Sequence, residues 1–314
     1  MVRAFGETWH NIAGGMNVAT ISGESIRCVL PWQAIVGESP VWNAAEQRLY
    51  WVDIQRKHIH RFDASSGRNQ TFEQPEIVTC IALRAAGGLV LTLRKHFATF
   101  DTATLKLERI GEVERDLPDN RFNDGECDPQ GRFWAGTMDA VEWDAPAGNL
   151  YRLDADKSVT RVEQNVICSN GIAWSPDGRK MYHTESFRHA IFVSDFEPET
   201  GAVSNRRPFA TLDSNSGGFP DGLTVDCDGF VWGNVVGLGQ IRRYDPLGKI
   251  ERVLQLPVPR ATDCTFGGPD LKTLYATSAR ETMTDAQLAA APLSGSLFAI
   301  DVDVQGLPAT PFSG

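Results

Sequence analysis

The chain has 314 residues and a formal net charge of −10. That acidic balance argues against nucleic acid as a partner, since phosphate binding needs a basic face, and it suits a cation near a functional site. No apolar run approaches the roughly 18 residues of a membrane span, and Met1 to Gly15 lacks the apolar core of a secretory signal.

Taken in chain order, the first two dozen residues carry Gly14-Gly15 and little periodicity. They predict an extension, residues 1–26, outside a single domain spanning 27–314. From there one unit recurs: a polar opening, a short apolar run, a tight turn and a second apolar strand. Ser39-Pro40-Val41-Trp42-Asn43 leads through Gln47-Arg48 into Leu49-Tyr50-Trp51-Val52-Asp53, with His58 to Asp63 as a third strand turning at Ser66-Gly67. Thr79-Cys80-Ile81-Ala82-Leu83 leads through Gly87-Gly88 into Leu89 to Leu93. Arg121-Phe122-Asn123-Asp124-Gly125 precedes Asp128-Pro129-Gln130-Gly131 and then Arg132 to Met138. Ser169-Asn170-Gly171 and Pro220-Asp221-Gly222 open the next two copies, and Thr262-Asp263-Cys264 opens the last. A spacing of roughly 40 to 50 residues is that of a propeller blade of four strands. The fold expected is therefore all-β, a six-bladed β-propeller with a central channel. A sandwich or barrel would not explain six similar units. Arg27 to Trp32 should enter the last blade beside Leu297 to Asp301 and close the ring, which removes free sheet edges. The best helix candidate is short, Thr284 to Ala290.

Six cysteines stand singly with no C-x-x-C pair. They read as buried small hydrophobes of a reduced, cytoplasmic protein, in which the sequon Asn69-Gln70-Thr71 has no role.

The motifs Gly37-Glu38-Ser39-Pro40-Val41-Trp42, Asn120 to Gly125, Gly131 to Met138, Ser169-Asn170-Gly171, Pro220-Asp221-Gly222 and Cys264 to Gly268 closely resemble the regucalcin (senescence marker protein) and gluconolactonase family. The resemblance runs over nearly the whole chain from about Arg27, and Pro269 to Tyr275 is more similar to bacterial sugar lactonases than to the animal protein. It implies a six-bladed propeller that hydrolyses an aldonolactone to its aldonic acid with one divalent cation in the channel. Calcium is the first choice of cation, with zinc, manganese, magnesium or iron(II) as alternatives.

By the same resemblance Glu38, Asn170 and Asp221 are metal ligands, and Asp221 doubles as general base. Two carboxylates and an amide oxygen are hard donors suited to such ions. Read singly, Glu38 would be a surface charge and the other two turn residues. The resemblance also places Arg121 and Asn123 beside a sugar lactone. The animal protein's third contact is a Glu shortly after G-T-M; the loop here is shorter, and the contact is replaced by Glu142, by Asp139 or by nothing. Asp124, before Gly125, reads as a residue of turn hydrogen bonding, and Asp128, Asp177, Asp226 and Asp228 as turn acids between outer strands. Asp263 reads as an acid at a channel-facing position, and Gly23-Glu24-Ser25 as a chance copy of the Glu38 motif. His58 and His60 read as a solvated strand face, His183 as packed and Glu185 as a channel-edge group. No G-x-S-x-G is present and no histidine has an obvious serine partner, so serine-hydrolase chemistry is unsupported. The rival readings are a non-catalytic calcium-binding regulatory propeller and an interaction scaffold.

Overall fold

The computed structural model describes residues 7–12, 16–21 and 26–314. Glu24 lies outside the described residues. Six antiparallel four-stranded units follow one another and form a closed six-bladed propeller. The innermost strands of blades 1 to 6 are Gly37–Asn43, Cys80–Leu83, Asn120–Cys127, Ser169–Trp174, Phe219–Val225 and Ala261–Gly267. Ile26–Leu30 supplies the outermost strand of blade 6, pairing antiparallel with Leu297–Asp301, so the ring closes as expected.

Part of the predicted extension forms a hairpin, Glu7–Ile12 with Met16–Ile21. Its second strand runs parallel to Ile250–Gln255 and lengthens blade 5 outward to six strands. Thr284 caps the short helix Asp285–Ala290 through a capping box with Gln287, satisfying N-terminal amides that have no intrahelical partner. No helix among the described residues is long and apolar enough to cross a membrane.

Strand alternation builds the core. In Arg48–Asp53, Leu49 and Trp51 pack toward blade 6 with Trp42, Tyr275 and Ala299. Tyr50 and Val52, pointing the other way, pack toward blade 2 with Ile81, Leu89 and Leu91. Each of the six apolar clusters among the described residues sits between two neighbouring blades in this fashion. The inner strands are buried on both faces, whereas outer strands such as Arg68–Glu73 alternate exposed and covered positions.

Two of the presumed turn acids have a larger role. Asp128 and Asp226 do cap turns, each Oδ1 accepting the backbone N–H groups two and four residues on. They are fully buried between the innermost and second strands, not among outer strands. Each Oδ2 accepts an indole N–H at 2.9 Å, from Trp134 and Trp232, and pairs with a buried guanidinium, of Arg132 and Arg243. Asp177 also caps a turn, but it too lies between innermost and second strands, of blade 4, and is exposed. His60 departs from expectation: it is fully buried, stacked 4.1 Å from Trp51 and edge-on to Trp32. Burial lowers its pKa to about 3, so the ring is neutral. Cys80, Cys127, Cys168 and Cys264 are buried, but Cys28 is half-buried and Cys227 exposed.

Candidate functional site

The inner strands do not pair regularly along their length. In blades 1, 3, 4, 5 and 6 the register against the second strand slips, so two residues oppose one. The slips fall between Glu38 and Val41, Phe122 and Gly125, Ser169 and Ile172, Pro220 and Leu223, and Ala261 and Cys264. Such bulges bend the strand and re-aim side chains beside functional sites. The first residue of each displaced pair is Ser39, Asn123, Asn170, Asp221 or Thr262. The expected ligands therefore stand inside the innermost strands, not ahead of them.

Four of these five residues need no special backbone, but Ser39 adopts a left-handed φ of 47°. Its hydroxyl accepts the Ile81 amide at 2.9 Å, tying the bend to blade 2, and its own amide donates to Glu38 Oε2 at 3.1 Å. Gly171 and Gly222 are required by closeness and not by turn geometry. A Cβ at Gly171 would stand 2.5 Å from the Leu223 amide nitrogen, and one at Gly222 would stand 1.9 Å from Asp263 Oδ1.

The bulges open onto one cavity of about 340 Å³ at one end of the channel. Glu38, Arg121, Asn123, Asn170 and Asp221 all line it. Hydrogen bonds orient the amides. Arg121 Nη1 donates to Asn123 Oδ1 at 2.7 Å, and Asn123 Nδ2 donates to Asn170 Oδ1 at 3.0 Å. Asn170 Nδ2 donates to Ser186 Oγ at 2.8 Å, and that hydroxyl donates to the Pro220 carbonyl at 2.7 Å. The relay directs the Asn170 amide oxygen away from Ser186. Ser186 was not found from sequence, because nothing local marks a serine after a strand as a partner for Asn170.

Carboxylates crowd the channel. Burial, reinforced by Asp221, Asp263 and Asp124, holds the Glu38 carboxyl well above its usual pKa. Burial and Asp124 do the same to Asp221, against the opposing pull of Arg260 and Arg121. Asp263, buried behind Gly222, is likewise raised, first by burial and then by Asp124. Asp124 accepts the Gly125 amide at 2.7 Å, a local bond of the kind expected, but it is buried in the inner strand and pushed up to about 6 by burial.

These features test the fit of a divalent cation. Glu38 and Asp221 repel each other in a shared buried space, Asn170 offers an oriented oxygen, and no described group donates a hydrogen bond to Asp221. Among the described residues no group of three or more His, Cys, Asp or Glu side chains could hold a metal ion. With the Asn170 amide oxygen beside them, Glu38 and Asp221 would be hard oxygen donors of the kind that suits calcium, magnesium or manganese.

Other expected contacts lie elsewhere. Glu142 is exposed and outside the cavity lining; its neighbour Trp143 lines the cavity instead. Asp139 turns its carboxylate onto the Val141 and Glu142 amides at 2.8 and 2.9 Å. Glu185 is buried away from the cavity and paired with Arg188 and Arg206. His183 is packed, as expected, but it does have a serine partner: its Nε2 lies 2.8 Å from Ser169 Oγ. Ser169 is fully buried against Gly136, where an added Cβ would come 1.9 Å from its hydroxyl oxygen. No substrate reaches it, so the contact is not a hydrolase dyad.

A closed ring of six blades with an oxygen-rich cavity at one channel end thus defines the class: a six-bladed propeller with an interior small-molecule site. The chain matches the family model of the SMP-30/Gluconolactonase/LRE-like region over residues 36–280, and it belongs to this family. It is 37% identical over 294 residues to the 6-deoxy-6-sulfogluconolactonase of Pseudomonas putida, covering 93% of this chain and 99% of that one. It is also 37% identical to the regucalcin of Gallus gallus, over 94% of this chain and 100% of that one. The crystal structure of a calcium-binding protein, regucalcin, from Agrobacterium tumefaciens superposes with a TM-score of 0.89 at 27% identity, covering 93% of this chain and 98% of that one.

Proposed function

We propose that this chain is a metal-dependent sugar lactonase that hydrolyses an aldonolactone to its aldonic acid in the cavity. Lactone hydrolysis is supported by family membership and by a lactonase relative matched along its whole length. The observation that carries the site is the convergence of Glu38, Asn170 and Asp221 from three blades, beside the Arg121–Asn123 pair.

Glu38, Asn170 and Asp221 would hold the cation, with calcium first among the candidates. When bound, such an ion supplies Lewis-acid polarisation and a more acidic water. The chain's own groups do the remaining work. Asp221, with no donor occupying its carboxylate, accepts the proton of the attacking water. Arg121, half-buried on the cavity wall, donates to the oxygen that gains negative charge. Asn123 fixes that guanidinium through Oδ1, whose second lone pair accepts from a sugar hydroxyl, its Nδ2 being given to Ser169 O and Asn170 Oδ1. A strained ester with an alkoxide leaving group needs less assistance than an amide, so one base and one electrophilic wall suffice. Glu142, exposed outside the cavity, takes no part in this reading.

The test is acid release, followed by a pH indicator, from pentono- and hexonolactones with metal-stripped protein and each cation restored in turn. Metal-dependent release above the spontaneous rate supports the lactonase. None with any pairing, in folded protein that binds metal, supports the non-catalytic calcium-binding propeller instead.

A further inference from the structure

The slipped register lets the inner strands be aligned residue by residue. Two positions before the bulge stand Gly37, Arg121, Cys168, Phe219 and Arg260; one position after its first residue stand Pro40, Asp124, Gly171, Gly222 and Asp263. Blades 3 and 6 alone combine arginine before with aspartate after. Blades three apart in a ring of six face each other across the channel. Arg121 and Arg260 therefore stand on opposite walls of one cavity, with Glu38, Asn170 and Asp221 between them, and both line it.

Their hydrogen bonding differs. Arg121 Nη1 is engaged by the Phe122 carbonyl and Asn123 Oδ1. Arg260 Nη1 donates to Thr282 Oγ1 at 2.9 Å, while its Nε is buried with no acceptor. Among the described residues no carboxylate lies within 4.0 Å of the Arg260 guanidinium. Glu281, on the same wall, accepts from Gln55 at 2.8 Å. Nη2 has no hydrogen-bond partner among the described residues and is the donor open to a ligand, and a planar guanidinium fork matches the oxygens of an anion better than a single hydroxyl. The cavity volume falls in the range that takes a small ligand.

We infer that Arg260 is a specificity-determining residue that binds an anionic group on the terminal carbon of the lactone substrate. The lactone carbonyl then lies toward Arg121 and Asn123, and the anion toward Arg260. The anion is a carboxylate, sulfonate or phosphate, all of which present the same oxygen face. This inference rests on the lactonase reading of the same cavity.

The experiment compares kcat/KM for gluconolactone with that for the same ring bearing phosphate, sulfonate or carboxylate at its terminal carbon. It uses the wild type, Arg260→Gln and Arg260→Lys, each metal-loaded and shown to be folded. In the wild type at least one anionic lactone should be preferred by about tenfold or more, as expected for a charge-assisted contact. That preference should fall about ten- to a hundredfold in Arg260→Gln, mainly through KM, and should partly survive in Arg260→Lys. The preferred anion identifies the substituent. No preference for any anion in a wild type that hydrolyses gluconolactone overturns the inference alone. An equal fall for neutral and anionic substrates in Arg260→Gln also overturns it, and assigns Arg260 to the charge of Asp221. No hydrolysis of any lactone removes the lactonase reading itself, a distinct result.

Discussion

The two ends of the channel are built from the same six strands and have opposite characters. Each inner strand begins at the cavity end. There five blades slip register, and four of their displaced residues, Asn123, Asn170, Asp221 and Thr262, line the cavity. Blade 2 is the control within the molecule: Cys80–Leu83 pairs regularly with Leu89–Thr92, and blade 2 contributes no side chain to the cavity. At the far end the strands leave into tight turns locked by Asp128 and Asp226. The chain's last residues cross that end. Cys227 and Gln305 are joined by a backbone hydrogen bond, and Phe312, fully buried, bonds through its backbone to Leu83 and Ala85. Irregular backbone thus accompanies chemistry, and regular backbone with satisfied buried ions accompanies stability. Repeat proteins can hold both because each blade tolerates a local departure that its neighbours brace.

Substitutions at the two ends should therefore fail in different ways. At the cavity end, Asp221→Ala should lower kcat for lactone hydrolysis by roughly 10³-fold while the thermal transition stays intact. Turnover within tenfold of the wild type would remove Asp221 from its role as base. At the far end, Asp226→Ala leaves the buried Arg243 and the Trp232 indole without their shared acceptor. Breaking a buried pair from one side costs about 3–5 kcal/mol. Denaturant unfolding should show that loss, with activity per folded molecule retained; an unchanged midpoint would make the Asp–Trp–Arg cluster ornamental.

What could be read from sequence follows from the same contrast. The ring was legible because alternation, turns and spacing are local and repeat six times, and even the closure of Ile26–Leu30 on Leu297–Asp301 was visible. Glu38, Asn170, Asp221, Arg121 and Asn123 were singled out through the resemblance, since each read alone is a surface charge, a salt bridge or a turn residue, and the structure brings all five to one cavity. What stayed hidden depends on packing between blades. His60 looks like one side of an amphipathic strand, yet Trp32 and Trp51 cover it. Glu142 follows the G-T-M motif in a loop shorter than the animal protein's, and that loop turns it outward and Trp143 inward. Arg260 could have been found by aligning Arg260-Ala261-Thr262-Asp263 with Arg121-Phe122-Asn123-Asp124. That alignment becomes evident once the bulge supplies the common register.

A smaller effect separates a proposed ligand from the residue that holds it. Ser186→Ala removes the main acceptor of the Asn170 amide nitrogen and leaves the amide held on its oxygen side by Asn123. Partners of this kind are worth about tenfold or more in metal affinity. Calorimetric titration should show that weakening, with the metal dependence of activity displaced to match. Unaltered affinity would mean that Asn170 is held by Asn123 alone.

The smallest effect belongs to the far end and has a definite sign with pH. Glu126 lies beside the tail residues Leu307 to Thr310, and burial pushes it up to about 7. In an unfolded chain a glutamate ionises near pH ~4.3. Between those values the native state keeps a proton that the unfolded state has lost. The contribution of Glu126 to stability is therefore complete below ~4.3 and is lost as pH rises through about 7. Asp124, raised to about 6 by burial, acts in the same direction. In chelator, the melting temperature of the wild type should fall as pH rises from about 5.5 to about 8, and Glu126→Gln should flatten that slope. The same substitution should leave lactone kcat/KM within a few-fold, since Glu126 stands at the opposite end from the cavity. A loss of turnover as large as that of Asp221→Ala would show that the acids of the channel act as one chain of groups, and the division between its ends would fall.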